Sequence, residues 1–170
     1  MAYKALPRPQ FSSLQQAIFP VYFSLQTALP VVLALTYPGE KSSLISSSTP
    51  AGLGGFLAEK NRISVLVPLV TVFASSLANL LVIGPATTRI MRERKHQGTF
   101  MRNLMGAITS KLITIETRDG KKSYDNPPHS KEMMKLNRSF ARMHGASSLL
   151  NLAGLLATVW YGVTLAERLQ

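Results

Sequence analysis

The sequence predicts an all-α membrane protein with three transmembrane helices, and three observations carry that prediction. Residues 9–39, 63–88 and 143–166 contain no Lys, Arg, Asp or Glu. Each run is longer than the roughly 20 apolar residues that a helix needs to cross a hydrocarbon core of about 30 Å. A water-facing helix of that length would show one charged face, and these runs show none. The positive charge is concentrated elsewhere: residues 89–142 hold 13 of the 19 Lys and Arg against five acidic residues.

The first span is expected at about 14–36. Ahead of it, residues 1–10 carry Lys4 and Arg8 but no small-residue cleavage site, and the apolar run that follows is longer than a signal-peptide core. No cleaved signal is therefore expected. Pro20 and Pro30 sit inside the span, and each removes a helical hydrogen bond and favours a kink. Gln15, Gln16 and Gln26 are costly in lipid and are expected to face protein or the interface. Tyr22, Phe23 and Tyr37 suit the aromatic zones near headgroups.

Residues 38–62 are rich in Ser, Gly and Pro, including Ser46-Ser47-Ser48-Thr49-Pro50 and Gly54-Gly55, and read as a flexible surface connection. The second span is expected at about 63–83. Within it Ser75, Ser76 and Asn79 form a small polar face of the kind through which membrane helices approach one another. Gly84-Pro85 should kink the helix, which should then continue into the basic stretch Arg89 to Arg102.

In the basic loop 89–142, Phe100 to Ile115 is amphipathic, with Leu104, Ile108 and Leu112 spaced by four. That spacing fits an interfacial helix on the membrane surface and equally a helix packed on the other spans. Arg118 to Ser130 reads as a turn-rich segment. A helix should restart near Lys131 and run through Arg142 into the last span, about 145–165. The excess of Lys and Arg puts the basic loop in the cytosol. Loop 38–62 and the C-terminus then lie on the other side, and the sequon Asn137-Arg138-Ser139 should go unused.

Composition excludes several chemistries. There is no cysteine, hence no disulfide, thiolate metal site or Cys nucleophile. His96, His129 and His144 show no metal-ligand spacing, and the spans hold no carboxylate for a proton relay. Ser, His and a carboxylate do not occur together in the spans, which leaves a hydrolase triad without support. No catalytic residue, metal or cofactor is expected. The net charge of +11 is explained by basic residues beside membrane spans rather than by a nucleic-acid partner.

The sharpest local feature is Arg142 to Asn151. His144, Ser147, Ser148 and Asn151 fall on one helical face and enter the bilayer from the cytosolic side. With Gly145, and with Asn79, Pro85, Thr87 and Thr88 from the second span, they form a candidate polar intramembrane cluster. It is either polar glue between helices or a site for a ligand such as a lipid headgroup. Gly154, Thr158 and Gly162 form a small-residue stripe suited to close helix packing or to a homo-oligomer. Arg89, Arg92, Arg94 and Lys95 are the candidate contacts to anionic lipid.

The same residues carry a resemblance. Asn79, followed by Pro85-Ala86-Thr87-Thr88-Arg89-Ile90-Met91, resembles the signature after a middle helix of the transmembrane protein 205 family, also described as domain-of-unknown-function family 4149. Phe140 to Leu152 resembles the family's second signature, at the start of its final helix. Leu6-Pro7-Arg8 with Phe19-Pro20-Val21-Tyr22-Phe23 resembles the entry into its second helix. The resemblance implies a bundle of four helices, of which the first would precede Ala2. A truncated gene model or an alternative start would account for a chain that begins there.

These readings lead to a non-enzymatic endomembrane protein acting in membrane organisation, lipid handling or trafficking. Its expected location is the endoplasmic reticulum or another endomembrane, with the plasma membrane as the alternative. A possible protein partner is left open. The competing reading is a small transporter or an accessory subunit, with His144, Asn151 and Asn79 lining a polar crevice.

Overall fold

The computed structural model describes residues 5–39, 51–108 and 129–169. Helix α1 is Arg8–Leu35. Short helix α2, Leu53–Phe56, follows, and then a 3-10 turn at Glu59–Asn61 and a π-turn at Arg62–Leu66. Helix α3 is Val67–Ala78, a second π-turn covers Asn79–Ile83, and α4 is Gly84–Ile108. The last helix, α5, is Lys131–Leu169. There is no strand among the described residues. Three helical stretches are long and apolar enough to cross a membrane: Gln10–Leu35, Glu59–Gln97 and Lys131–Glu167.

The prolines of α1 do not end it, since the helix runs through both Pro20 and Pro30. The other two prolines in spans have a different signature. Each π-turn ends two residues before a proline, Pro68 in one case and Pro85 in the other. A proline ring in a regular helix presses on the carbonyl four residues back and cannot donate to it. A wider π-turn just ahead relieves that crowding, and such turns recur at functional sites. At the second π-turn the Gly84 amide donates to the Asn79 carbonyl.

The chain divides into two compact units, one drawn from Met1–Gly84 and Ser147–Gln170 and the other from Pro85–Ala146. In the first, α1, α3 and residues 147–169 of α5 pack together. At one end Tyr37, Val65, Leu69 and Tyr161 form a buried apolar layer, with Leu33, Phe56 and Leu165 against it. Farther along, Phe23, Val72 and Ala157 are also buried.

What is buried and what is exposed inverts the pattern of a water-soluble protein. Asn61, Ser76 and Asn79 are wholly enclosed, whereas Leu81 and Val82 are 63% and 64% exposed. Along α1, Ile18, Val21, Leu25, Leu29 and Val32 face outward, as do Leu149, Leu152, Leu155, Leu156 and Val159 on α5. A surface this apolar is unfavourable in water and suits hydrocarbon. The burial pattern and the span lengths mark a membrane protein.

The expectation of a flexible connection at 38–62 needs correction for its described part. The Gly52 amide donates to the Tyr37 carbonyl at 2.8 Å, and Gly52 adopts φ +67°, which only glycine reaches without strain. Asn61, wholly enclosed, donates its side-chain amide to the Gly55 carbonyl at 2.7 Å. These bonds fold 51–61 back on the end of α1. Composition pointed to loop because it does not register a buried Asn that caps a turn. The Ser-rich stretch 46–50 and most of the turn-rich segment at 118–130 lie outside the described residues.

In the second unit, α4 carries the basic stretch as uninterrupted helix. Residues 100–108 of the amphipathic segment belong to α4, and 109–115 lie outside the described residues.

Candidate functional site

The first unit concentrates its polar groups where α1, α3 and α5 meet. Ser75 and Ser76 turn their hydroxyls back onto the helix, donating to the Val72 carbonyl at 3.1 and 2.6 Å. Back-bonding of this kind satisfies a hydroxyl without a partner helix. Asn79 lies one turn along at the start of the π-turn, and its Nδ2 donates to Asn151 Oδ1 of α5 at 3.4 Å. A hydrogen bond between membrane helices contributes about 0.5–2 kcal/mol, and a bond this long belongs at the lower end.

Gly154, one turn beyond Asn151, makes the close approach of α5 to its neighbours. A Cβ added there would stand 3.2 Å from Ser75 Oγ and 3.7 Å from Gln26 Nε2 of α1. Gln26 thus joins the polar layer from the third helix. Its Oε1 is buried with no hydrogen-bond donor among the described residues, and the same is true of Asn79 Oδ1. The site therefore presents two unsatisfied amide oxygens, and the spans bring no acid to it.

The members of the sequence-derived cluster have different positions. Asn79 and Asn151 meet. Ser147, half-buried, and Ser148, exposed, precede Asn151 on α5 in the same unit. Pro85, Thr87, Thr88, His144 and Gly145 belong to the second unit. There His144 is exposed and stacks on Phe140, with ring centroids 5.8 Å apart and planes 7° from parallel. A Cβ on Gly145 would meet nothing within 4 Å. Gln26 was visible in the sequence as a polar residue in an uncharged run, but nothing local joined it to Ser75 or Gly154.

The small-residue stripe also divides. Gly154 is buried and tightly approached, while Thr158 and Gly162 are exposed, and a Cβ on Gly162 would meet nothing within 4 Å. Thr158 donates to the Gly154 carbonyl at 2.8 Å. The face that packs inside the chain is Gly154, Ala157 and Tyr161, which follows the helical period rather than a strict spacing of four.

The second unit holds the four candidate lipid-contacting cations. Arg89 Nε pairs with Glu93 Oε1 at 2.9 Å, and both side chains are well exposed, so the pair adds little stability. Arg92 and Lys95 are exposed. Arg94 differs: its guanidinium lies 4.4 Å from the centre of the Phe140 ring. Its Nε has no acceptor among the described residues. Gln97 Nε2 donates to Glu132 Oε2 at 2.9 Å, which ties α4 to the start of α5. Between these helices runs an open groove lined by Ala86, Ile90 and Leu136 at one end and by His96, Gln97 and Glu132 at the other. No group of three or more metal-ligating side chains occurs among the described residues.

Comparison with known proteins adds family and ancestry. The chain is 27% identical over 169 residues to the Xanthocillin biosynthesis cluster protein D of Aspergillus fumigatus, which covers 99% of this chain and 75% of that protein. No solved structure matches it. Residues 1–96, more than half of the 170, match the family described as Domain of unknown function (DUF4149). That match takes in α1, α3 and the second π-turn with its Asn79, and the chain belongs to the DUF4149 family.

Proposed function

We propose that this chain is a non-enzymatic, multi-pass endomembrane protein of the transmembrane protein 205 type that organises its membrane through contacts to anionic lipid. The observation that carries the reading is the succession along one helical stretch. An apolar span, with Ile63, Val67, Val70, Leu81 and Val82 turned outward, passes through the π-turn into α4, which presents Arg89, Arg92 and Lys95 to solvent. Arg89, Arg92 and Lys95 follow the expected end of the span by roughly two to three helical turns, and a cation near the membrane surface contributes about 1 kcal/mol against anionic lipid. By the positive-inside rule this face is cytosolic, and loop 38–62 lies on the opposite side. Arg94 contributes less, because its guanidinium is held over Phe140.

The test uses the full chain in bilayers of phosphatidylcholine and phosphatidylserine, with spin-labelled lipids reporting which headgroup the protein prefers. Three cations at about 1 kcal/mol each amount to about 3 kcal/mol, or a factor on the order of 100 in relative affinity at low salt. Replacing Arg89, Arg92 and Lys95 by Gln should abolish most of that preference. An unchanged preference at low ionic strength overturns the reading.

The second reading is an accessory subunit or small transporter. One observation favours it: the relative from Aspergillus fumigatus is named for a biosynthesis cluster. Against an open crevice stand the complete enclosure of Asn79 and the close approach of Gly154 to Ser75. Purification of the chain from native membranes with a stoichiometric partner enzyme would favour the accessory role.

A further inference from the structure

We propose that Lys135, Arg138 and Arg142 of α5 hold one multiply phosphorylated lipid headgroup, of the kind a phosphatidylinositol bisphosphate carries, with Lys131 extending the row. The four cations fall at i, i+4, i+7 and i+11, which puts them on one face of the helix, and all four are exposed. No ion pair engages their side chains among the described residues. Glu132 is the one acid of α5 before Glu167. It lies about 100° round the helix from Lys131, and its Oε2 accepts a hydrogen bond from Gln97 of α4.

Such a row is unfavourable by itself. Lys131 with Lys135, and Arg138 with Arg142, are like charges at i and i+4, where they repel, and a surface that serves solubility alone intersperses both signs. Helix α4 shows the mixed pattern, with Arg89 paired to Glu93. An anion bound along α5 offsets the repulsion. Position selects lipid as its source: α5 runs unbroken from Lys131 into the uncharged residues 143–166, and a cluster of basic residues just cytosolic of a span attracts anionic headgroups.

Direction selects the headgroup. At about 1.5 Å per residue, Arg142, Arg138 and Lys135 stand roughly 4, 10 and 15 Å before the expected start of the last span, and Lys131 about 21 Å. Their long side chains can bend back toward the bilayer. The cations are therefore stacked in depth rather than spread over the surface. Phosphatidylserine offers one net negative charge at one depth. A phosphoinositide has a phosphodiester at its base and further phosphates on the ring above, so a single molecule meets Arg142 first and then Arg138 and Lys135. Linking those charges in one headgroup spares the row from gathering several lipids. This inference rests on the cytosolic placement of the face in the reading above, but not on the lipid contacts of α4.

Native mass spectrometry of the full chain from mixed micelles of detergent and phosphatidylcholine tests it by counting bound lipids. Phosphatidylinositol bisphosphate and phosphatidylserine are added in turn at matched charge. The expected result is a single phosphoinositide adduct that persists where the phosphatidylserine adduct is lost. Equal binding of the two lipids overturns the proposal, and is the result expected if the row serves an acidic protein segment instead. Replacing Lys135 and Arg138 by Gln should weaken the phosphoinositide adduct by a factor on the order of 30, whereas Lys135→Arg with Arg138→Lys should keep it. An unchanged adduct in the Gln variant also overturns the proposal, and the comparison of the two lipids on the unsubstituted chain decides if that variant does not fold. Displacement by an equimolar amount of soluble inositol trisphosphate overturns the lipid as the source. Replacing Arg89, Arg92 and Lys95 by Gln should leave the phosphoinositide adduct in place, so this site and the α4 contacts fail separately.

Discussion

Gly84→Ala should destabilise the chain although Ala is the better helix former. A Cβ at position 84 would stand 2.7 Å from the carbonyl oxygen of Asn79, and the obstacle is backbone rather than a side chain that can swing away. Ordinary C···O approaches are about 3.3–3.6 Å, so the π-turn has to open or close by more than half an ångström. Forced overpacking costs about 1–3 kcal/mol, and the rigid neighbour argues for the upper end. Helix propensity returns about 1 kcal/mol, which leaves a net loss of about 2 kcal/mol. At about 2–4 °C per kcal/mol for a chain of this size, Tm in detergent should fall by about 4–8 °C. Gly162→Ala is the control, since nothing lies within 4 Å of its added Cβ. There the propensity gain stands alone, and Tm should hold or rise by a few degrees. Equal shifts in the two variants would refute the claim that Gly84 is required by the π-turn.

Other outcomes follow from the same geometry. Asn151→Leu removes the Asn79 bond and should cost about 0.5–2 kcal/mol in a thermal melt, with a smaller loss in an Asn79→Leu background. Gly154→Ala, whose Cβ would meet Ser75 Oγ at 3.2 Å, should fall between Gly84→Ala and Gly162→Ala in Tm. A double-mutant cycle on Arg94→Ala and Phe140→Leu should give a coupling of about 0.5–1 kcal/mol. If that coupling is zero, the stack does not stabilise the second unit.

The helices were legible because lipid requires a long uncharged run and any soluble alternative would need a charged face. The start of α5 near Lys131 could be read where charge gives way to periodic apolar residues, although its length of 39 residues could not. The polar layer was half legible. Asn79 and Asn151 stand out as amides in apolar runs, but Gln26 acquires meaning only through Ser75 and Gly154, which are distant in sequence. The π-turns left a trace in Pro68 and Pro85, yet proline alone does not say whether a helix kinks or widens. Residues 51–61 were misread because Ser, Gly and Pro content reports local freedom and not the long-range bonds from Gly52 and Asn61. The stripe of Gly154, Thr158 and Gly162 matched a packing motif by spacing, while the packed face is Gly154, Ala157 and Tyr161.

The central claim is that the apolar outer surface faces lipid and that the chain crosses the membrane between the start of the second span and the start of α5. The absence of cysteine makes the unsubstituted chain a blank for thiol labelling. Single cysteines at Glu59 and at Lys131, both exposed, can be probed in sealed vesicles with a membrane-impermeant maleimide. The account predicts that the two are labelled from opposite faces, with Lys131→Cys on the cytosolic side. Labelling of both from the same face would contradict it.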